Sequence, residues 1–317
     1  MLPFYRQALD SQLLCSRAYL HNLQSLFERD QVNGLIELHL REDHQIVLAY
    51  TRGELAGAFR LRQQQSLPLQ PEQVTADWGA EEVPARTVNL PVAGVRAALQ
   101  ALEWYPPQQQ DEIPSTQVEK YIENSQAQGD NGLLRIQSPS ADGFMLLWRG
   151  APVSSEVIFS TRSGFSDSPP AVRMIQDQPS ETWKISFYPA REETPTYQVL
   201  LLRMGVVTWV EKHLGFYQQF VGQKLLLSLV QDLNMLSRQK RWGIQLVGTV
   251  LIDQRLRSNA EEGAPVYHAM LQALTRQVVQ VIGTRFAQQL LSESLSALGE
   301  PEQNALNMQG LTISSIV

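Results

Sequence analysis

Cysteine is nearly absent: Cys15 stands alone in 317 residues. No intramolecular disulfide can form, which points to a reducing compartment. Its setting, Leu13-Leu14-Cys15, is apolar and predicts a buried core thiol rather than a nucleophile. Charge is scarce too, at 18% of residues and a net −6. The densest basic cluster, Arg238-Gln239-Lys240-Arg241, is short and reads as a helix C-terminus complementing the helix dipole. The clustered cations that phosphate binding demands are missing, so no nucleic-acid partner is expected. Long apolar runs are missing as well. The best, Tyr197 to Val210, is interrupted by Arg203 and falls short of the roughly 20 residues a membrane helix needs. No basic stretch followed by an apolar one opens the chain, as a secretory leader would require. The expectation is a cytoplasmic protein with no membrane insertion.

Motifs for chemistry are lacking. A phosphate-cradling loop needs Gly-x4-Gly-Lys-Ser/Thr; the nearest approach, Gly222-Gln223-Lys224, has neither the spacing nor the hydroxyl and reads as a small contact residue in a helix. No Gly-x-Gly-x-x-Gly occurs. Gly164-Phe165-Ser166-Asp167-Ser168 lacks the second glycine of a nucleophile elbow. The histidines, His21, His39, His44, His213 and His268, show no metal-ligand spacing with one another or with cysteine. His39 and His44 flank a turn and read as solvated. The pairs Glu42-Asp43, Glu81-Glu82, Glu192-Glu193 and Glu261-Glu262 fall in turns or at helix starts, where neighbouring carboxylates point apart into water instead of into one cleft. No catalytic residue, cofactor or metal is expected.

What is present is a repeat. Asn33-Gly34-Leu35-Ile36-Glu37-Leu38 and Asn131-Gly132-Leu133-Leu134-Arg135-Ile136 open two alternating runs, offset by 131 − 33 = 98. Tyr50-Thr51-Arg52-Gly53 and Leu147-Trp148-Arg149-Gly150 close them, with the Arg-Gly pairs offset by 149 − 52 = 97. A near-constant offset predicts duplication of one unit. In the first copy a helix over Leu9–Phe27 precedes a hairpin, a third strand over Leu55–Leu61, a polar loop over Gln63–Glu82, a strand over Ala85–Leu90 and a helix carrying Val92, Val95, Leu99 and Leu102. Pro106 to Asp111 reads as a linker. In the second copy Ser115 caps a helix, strands cover Leu133–Ile136, Phe144–Trp148 and Val153–Phe159, and Ser163–Ser180 is a Ser-rich loop. Strands at Trp183–Tyr188 and Tyr197–Leu202 precede a helix from Val206. The last third changes character. Leu226, Leu229, Val230, Leu233 and Leu236 mark one helix stripe, Trp242 to Ile252 a strand pair, and Met270 to Leu291 a long helix. Leu311 to Val317 is β-prone.

The expected fold is α+β. Two tandem repeats, 1–106 and 115–214, each of helix, small antiparallel sheet and helix, lead to a mainly helical domain over 215–300 with a short hairpin, and then a tail over 301–317.

The strand-turn-strand unit resembles a PATAN-type domain, the module of PatA-like bacterial signalling proteins. The residues that carry the resemblance are Asn33 to Leu38, then Val47-Leu48-Ala49-Tyr50-Thr51-Arg52-Gly53-Glu54-Leu55, then Ala58. The second copy departs from it: Ala151-Pro152 replaces Glu54-Leu55, and Glu156 falls near the Ala58 position. The resemblance implies a protein-interaction role in bacterial signalling, without chemistry.

An aromatic residue beside arginine at a hairpin corner, present twice, marks Tyr50, Arg52, Trp148 and Arg149 as candidate interaction residues, since aromatics and arginine are enriched at binding hot spots. The competing and stronger reading packs each aromatic inward and leaves the arginine to solvate the turn. The function expected is that of a non-catalytic adaptor or regulator. Its partners would be other proteins, or a second copy held through the C-terminal helices. The alternative is a ligand sensor with a small-molecule pocket in or between the repeats.

Overall fold

The computed structural model describes residues 13–41, 44–63, 65–75, 78, 82–138, 141–161, 164–166, 182–257 and 259–316. The chain is mixed α/β with antiparallel sheets, and it divides into two compact units, Met1–Arg191 and Glu192–Val317.

The first unit holds two six-stranded antiparallel sheets. One is ordered β1-β6-β2-β3-β4-β5, from β1 (Leu13–Cys15), β2 (Gly34–Arg41), β3 (His44–Thr51), β4 (Glu54–Arg62), β5 (Gln65–Pro68) and β6 (Val83–Asn89). The other is ordered β11-β10-β9-β8-β12-β7, from β7 (Gln109–Pro114), β8 (Gly132–Gln137), β9 (Ala141–Trp148), β10 (Ala151–Thr161), β11 (Gly164–Ser166) and β12 (Thr182–Pro189). Strand alternation sends Ile36, Leu38, Ile46 and Leu48 to a core roofed by Leu20, Leu23 and Phe27 of α1 (Arg17–Arg29). Leu134, Ile136, Met145 and Leu147 do the same beneath Val118 and Ile122 of α3 (Val118–Gln128). Between α1 and α3 in the chain lies α2 (Val92–Glu103), which touches β2, β3 and β5 of one sheet and β8, β9 and β10 of the other. Every residue from Gly94 to Leu102 is buried. A helix covered on all sides must be small or apolar nearly all round, and Ala97-Ala98-Leu99 and Ala101-Leu102 supply that.

The Asn-Gly and Arg-Gly pairs build the same local structure twice. Asn33 Oδ1 accepts the Arg52 N–H at 2.7 Å, and Asn131 Oδ1 accepts the Arg149 N–H at 2.5 Å. Arg52 and Arg149 both have φ 51°, followed by Gly53 at 79° and Gly150 at 74°. Two-residue hairpins with positive φ at both central positions follow the twist of the flanking strands. Each glycine is pressed on the last turn of the preceding helix. A Cβ at Gly53 would strike Glu28 Cα, and one at Gly150 would strike Gln126 Cα and the Ser125 carbonyl.

The second unit is helical: α4 (Pro195–Val221), α5 (Gln223–Lys240), α6 (Ala260–Ile282), α7 (Thr284–Ser296), α8 (Glu300–Met308) and α9 (Ile313–Ile316), with the hairpin β13 (Ile244–Val247) and β14 (Val250–Asp253). Its core runs from Trp209, Val210 and Leu214 through Leu226 and Leu233 to Leu271, Leu274 and Leu291. The Trp209 indole donates to the Leu291 carbonyl at 3.2 Å and to Ser294 Oγ at 3.0 Å, joining α4 to α7. Asn234 clamps the hairpin, donating to the Leu246 carbonyl and accepting the Leu246 N–H, both at 2.8 Å.

Several sequence expectations are corrected. Tyr197–Leu202, expected as a strand, lies in α4; Thr194 caps it and Pro195 takes its first position. The expected boundary between 214 and 215 falls inside that helix. Helix α1 starts only at Arg17, capped by Ser16, because Leu13–Cys15 pairs with Val83–Ala85. The polar stretch after Gln63 includes β5, which pairs with Phe59–Arg62. Gln109–Pro114, expected within or beside a linker, is an edge strand on β12. Ser115 opens a short 3-10 turn and caps no helix. The long helix expected over Met270–Leu291 is two helices, broken at Gly283. The β-prone tail instead makes a short helix, with Leu311 and Ile316 buried. Glu42-Asp43, Glu81 and nearly all of Ser163–Ser180 lie outside the described residues.

Candidate functional site

The four hairpin-corner residues do not form one exposed patch. Tyr50 is 2% exposed. Its ring meets Phe27 edge-on at 5.1 Å between centroids, and its hydroxyl accepts from Gln24 Nε2 at 2.9 Å. Trp148 is buried as well, whereas Arg52 and Arg149 are exposed and enter the hairpin through their backbone N–H groups.

The inner faces of the two sheets carry a buried polar layer that sequence reading missed. Glu37 on β2 stands directly opposite Arg86 on β6. Its carboxyl is buried, Oε1 meets no hydrogen-bond donor among the described residues, and desolvation pushes its pKa up to about 7 against the opposing pull of Arg86 and Arg135. Arg135 comes from the other sheet, so charges on the two sheets act on one another. It holds Asp142 bidentately at 3.1 and 2.7 Å, reaches the Tyr188 hydroxyl, and sits 5.3 Å from the Phe144 ring centroid. Gln137 Nε2 adds a further hydrogen bond to Asp142 at 3.1 Å. His39, expected to be solvated, is half-buried. Gln45 Nε2 donates to its Nδ1 at 2.6 Å, which leaves Nε2 carrying the proton, 3.9 Å from Glu37 Oε2. Burial and then the charge of Arg86 hold its pKa below the ordinary value, so it is neutral at pH 7. Closer to α2, Arg96 forks onto Glu156 of β10 at 2.9 and 2.6 Å, with both partners buried. Most of these groups answer one another: Arg135 and Asp142 link β8 to β9, and Arg96 and Glu156 link α2 to β10. A signal existed in the sequence: charged residues at Glu37 and Arg135 interrupt otherwise apolar strands.

Cys15 is fully buried, and burial, with the charge of Glu82, pushes its thiol up to about 11, so it stays protonated. Among the described residues no group of three or more His, Cys, Asp or Glu side chains could hold a metal ion. Among them, too, no helix is long and apolar enough to cross a membrane.

The exposed apolar surface concentrates in the second unit. Helices α4 and α5 are joined by Gly222 alone, at φ 83° and ψ 171°, and α6 and α7 by Gly283 alone, at φ 80° and ψ 160°. This backbone state is essentially glycine's. A Cβ at Gly222 would meet nothing within 4 Å, so it is a helix break and not the small contact residue expected. Phe220 is 60% exposed, Leu225 42%, Val281 48% and Phe286 52%, and the Phe220 and Phe286 rings lie 5.6 Å apart. Leu227 and Met235 extend the exposed set along α5. Lys224 and Arg285 are exposed beside these residues in the chain.

No family model, curated protein or solved structure matches this chain.

Proposed function

We propose that this chain is a non-catalytic regulatory or adaptor protein that acts by binding another protein through its C-terminal helices. The observation that carries this reading is the exposed apolar corner at Gly222 and Gly283. Single exposed apolar residues are ordinary on a protein surface. Two phenylalanines in ring contact, flanked in sequence by exposed leucine and valine, are the kind of surface that a partner covers. The competing reading, a pocket under the Ser-rich stretch 163–180, rests on residues outside those described.

The same proposal takes the two sheets of the first unit as copies of one domain, as the PATAN-type resemblance suggests. What supports it is the recurrence of the Asn cap, the Arg-Gly turn and the helix beneath it. In this reading the copies serve as a rigid scaffold, stiffened by α2 and the polar layer, and binding belongs to the helices. The protein would work inside a bacterial cell, in keeping with its lone, buried thiol.

Native affinity capture of the full chain, followed by mass determination, tests this reading. A protein partner retained by the wild type and lost with Phe220→Ser/Phe286→Ser is the expected result. A monomer that carries only a co-purified small molecule, in both proteins, would replace the adaptor with the sensor.

A further inference from the structure

The helix-Gly-helix segments around Gly222 and Gly283 align at an offset of 283 − 222 = 61, with the glycine identical and a cation two positions after it in both. Phe220-Val221-Gly222-Gln223-Lys224-Leu225-Leu226 corresponds to Val281-Ile282-Gly283-Thr284-Arg285-Phe286-Ala287. Burial follows the same offset. Trp209, Val210, His213, Leu214 and Tyr217 of α4 are buried, and so are Met270, Leu271, Leu274, Thr275 and Val278 of α6. Past the glycines, Leu226, Val230, Leu233 and Ser237 correspond to Ala287, Leu291, Ser294 and Leu298, again all buried. Each break therefore presents one cation and two apolar side chains outward: Lys224 with Phe220 and Leu225, and Arg285 with Val281 and Phe286. The core of the second unit, among the described residues, is built from the inward positions and does not include these side chains.

Charge narrows what could cover this surface. Residues 212–231 and 263–292 contain no carboxylate, although the whole chain carries a net −6. Lys224 and Arg285 form no ion pair among the described residues. A second copy docking by this same face would bring four cations together with no local carboxylate to answer them, and like charges oppose association. A lipid surface calls for a denser cluster, on the order of four to eight Lys or Arg side chains. The surface is also entirely helical here, so it offers no free strand edge for an extended peptide to extend. An amphipathic helix, by contrast, satisfies its own backbone and lines apolar side chains along one face.

We propose that the paired Gly222 and Gly283 corner binds an acidic amphipathic helix of a partner protein, its apolar stripe covering Phe220, Leu225, Val281 and Phe286 and its flanking carboxylates meeting Lys224 and Arg285. This rests on the adaptor reading and specifies the chemistry of its partner.

The probes are two designed helical peptides with the same leucine stripe, one flanked by Glu and one by Lys, titrated against the full chain by fluorescence anisotropy. The Glu peptide is expected to bind at least about ten-fold tighter than the Lys peptide at low salt, the preference shrinking as salt rises. Lys224→Glu/Arg285→Glu should reverse that preference, and Phe220→Ser/Phe286→Ser should abolish binding of both peptides. All four positions are exposed, and unchanged circular dichroism and melting would show that the variants fold. Equal binding of the two peptides, preference for the Lys peptide, or binding of neither overturns the proposal. So does capture by phosphatidylserine vesicles alone, or a dimer of the full chain that Phe220→Ser/Phe286→Ser dissolves. If captured protein partners depend on Phe220 and Phe286 but not on Lys224 and Arg285, the acidic helix falls while the adaptor reading stands.

Discussion

Asn33 reaches across nineteen positions of chain to accept the backbone N–H of Arg52 at 2.7 Å, the same bond that joins Asn131 to Arg149 at 2.5 Å. The two asparagines do more than start strands. Their own carbonyls accept from Leu90 at 3.0 Å and Ala190 at 2.9 Å, so each ties a hairpin turn to the strand that follows much later. Asn33→Ala and Asn131→Ala should each lower stability by about 0.5–1.5 kcal/mol, because the exposed turn N–H exchanges its side-chain acceptor for water. Gly53→Ala should cost more than that, since a Cβ there meets the backbone of α1 as well as a left-handed φ. Chemical denaturation of the four proteins, wild type included, checks the order. Arg52→Asn should leave stability equal or higher, because asparagine tolerates the same turn conformation; a large loss would give the arginine side chain a structural task of its own.

The turns were legible in the sequence because their requirements are local. A positive φ wants glycine, and a strand shows its alternation over half a dozen residues. The layering around α2 was not, because Val92, Val95, Leu99 and Leu102 read as one apolar face while Ala97, Ala98 and Ala101 are neutral by type. Only the second sheet reveals that the alanine side is also covered. Arg96 was invisible for a related reason: an arginine in a helix reads as solvated until its carboxylate is located sixty positions away. Glu156, noted as a departure from the first copy, is that carboxylate. The recurrence in the helices was not legible because what recurs is burial and not residue type: Trp209 answers Met270, and Leu233 answers Ser294.

The Arg96–Glu156 pair lies in a buried setting, where removing one partner strands a charge. Arg96→Met alone should destabilise by about 3–5 kcal/mol, and Glu156→Leu alone by a similar amount. The double variant should recover most of the loss, since two apolar side chains need no counter-charge between α2 and β10. A double-mutant cycle by urea denaturation measures the coupling. Simple additivity of the two losses would show that the pair does not act as a unit.

Glu37 makes stability depend on pH in the direction opposite to an ordinary salt-bridged acid. Its folded pKa of about 7 lies above the usual value of 4.5. The folded protein holds the proton where the unfolded chain has released it, so stability falls as pH rises from about 4.5 to about 7 and then levels. Glu37→Gln removes that slope. The variant should match the wild type near pH 4.5 and exceed it at pH 8 by up to about 3 kcal/mol. Melting temperatures across that range are the measurement. A variant less stable than wild type at pH 8 would mean that the ionised carboxyl is held by Arg86 and Arg135 at no cost.

His213 in α4 should weaken the helical unit in acid. Its ring is buried, and neither nitrogen completes a hydrogen bond of normal geometry among the described residues, although the Leu290 carbonyl lies near enough to favour the charged form. Desolvation holds its pKa down to about 4, below the ordinary 6.5. Here the unfolded chain takes up the proton first. The group contributes no penalty above pH 6.5, and stability is lost as pH falls from 6.5 towards 4, reaching about 3 kcal/mol. The duplicated helix supplies the replacement: Leu274 occupies the equivalent buried position in α6. His213→Leu should therefore fold, equal or exceed wild-type stability at pH 7, and exceed it by a growing margin, up to about 3 kcal/mol, as pH falls from 6.5 to 4. The Glu37 and His213 slopes oppose one another between pH 4.5 and 6.5 and largely offset in the wild type when the whole chain unfolds together. Each single variant should therefore expose the other group's slope, Glu37→Gln losing stability towards acid and His213→Leu losing it towards pH 7, and a double variant Glu37→Gln/His213→Leu that still loses stability towards acid would assign that loss to groups other than His213.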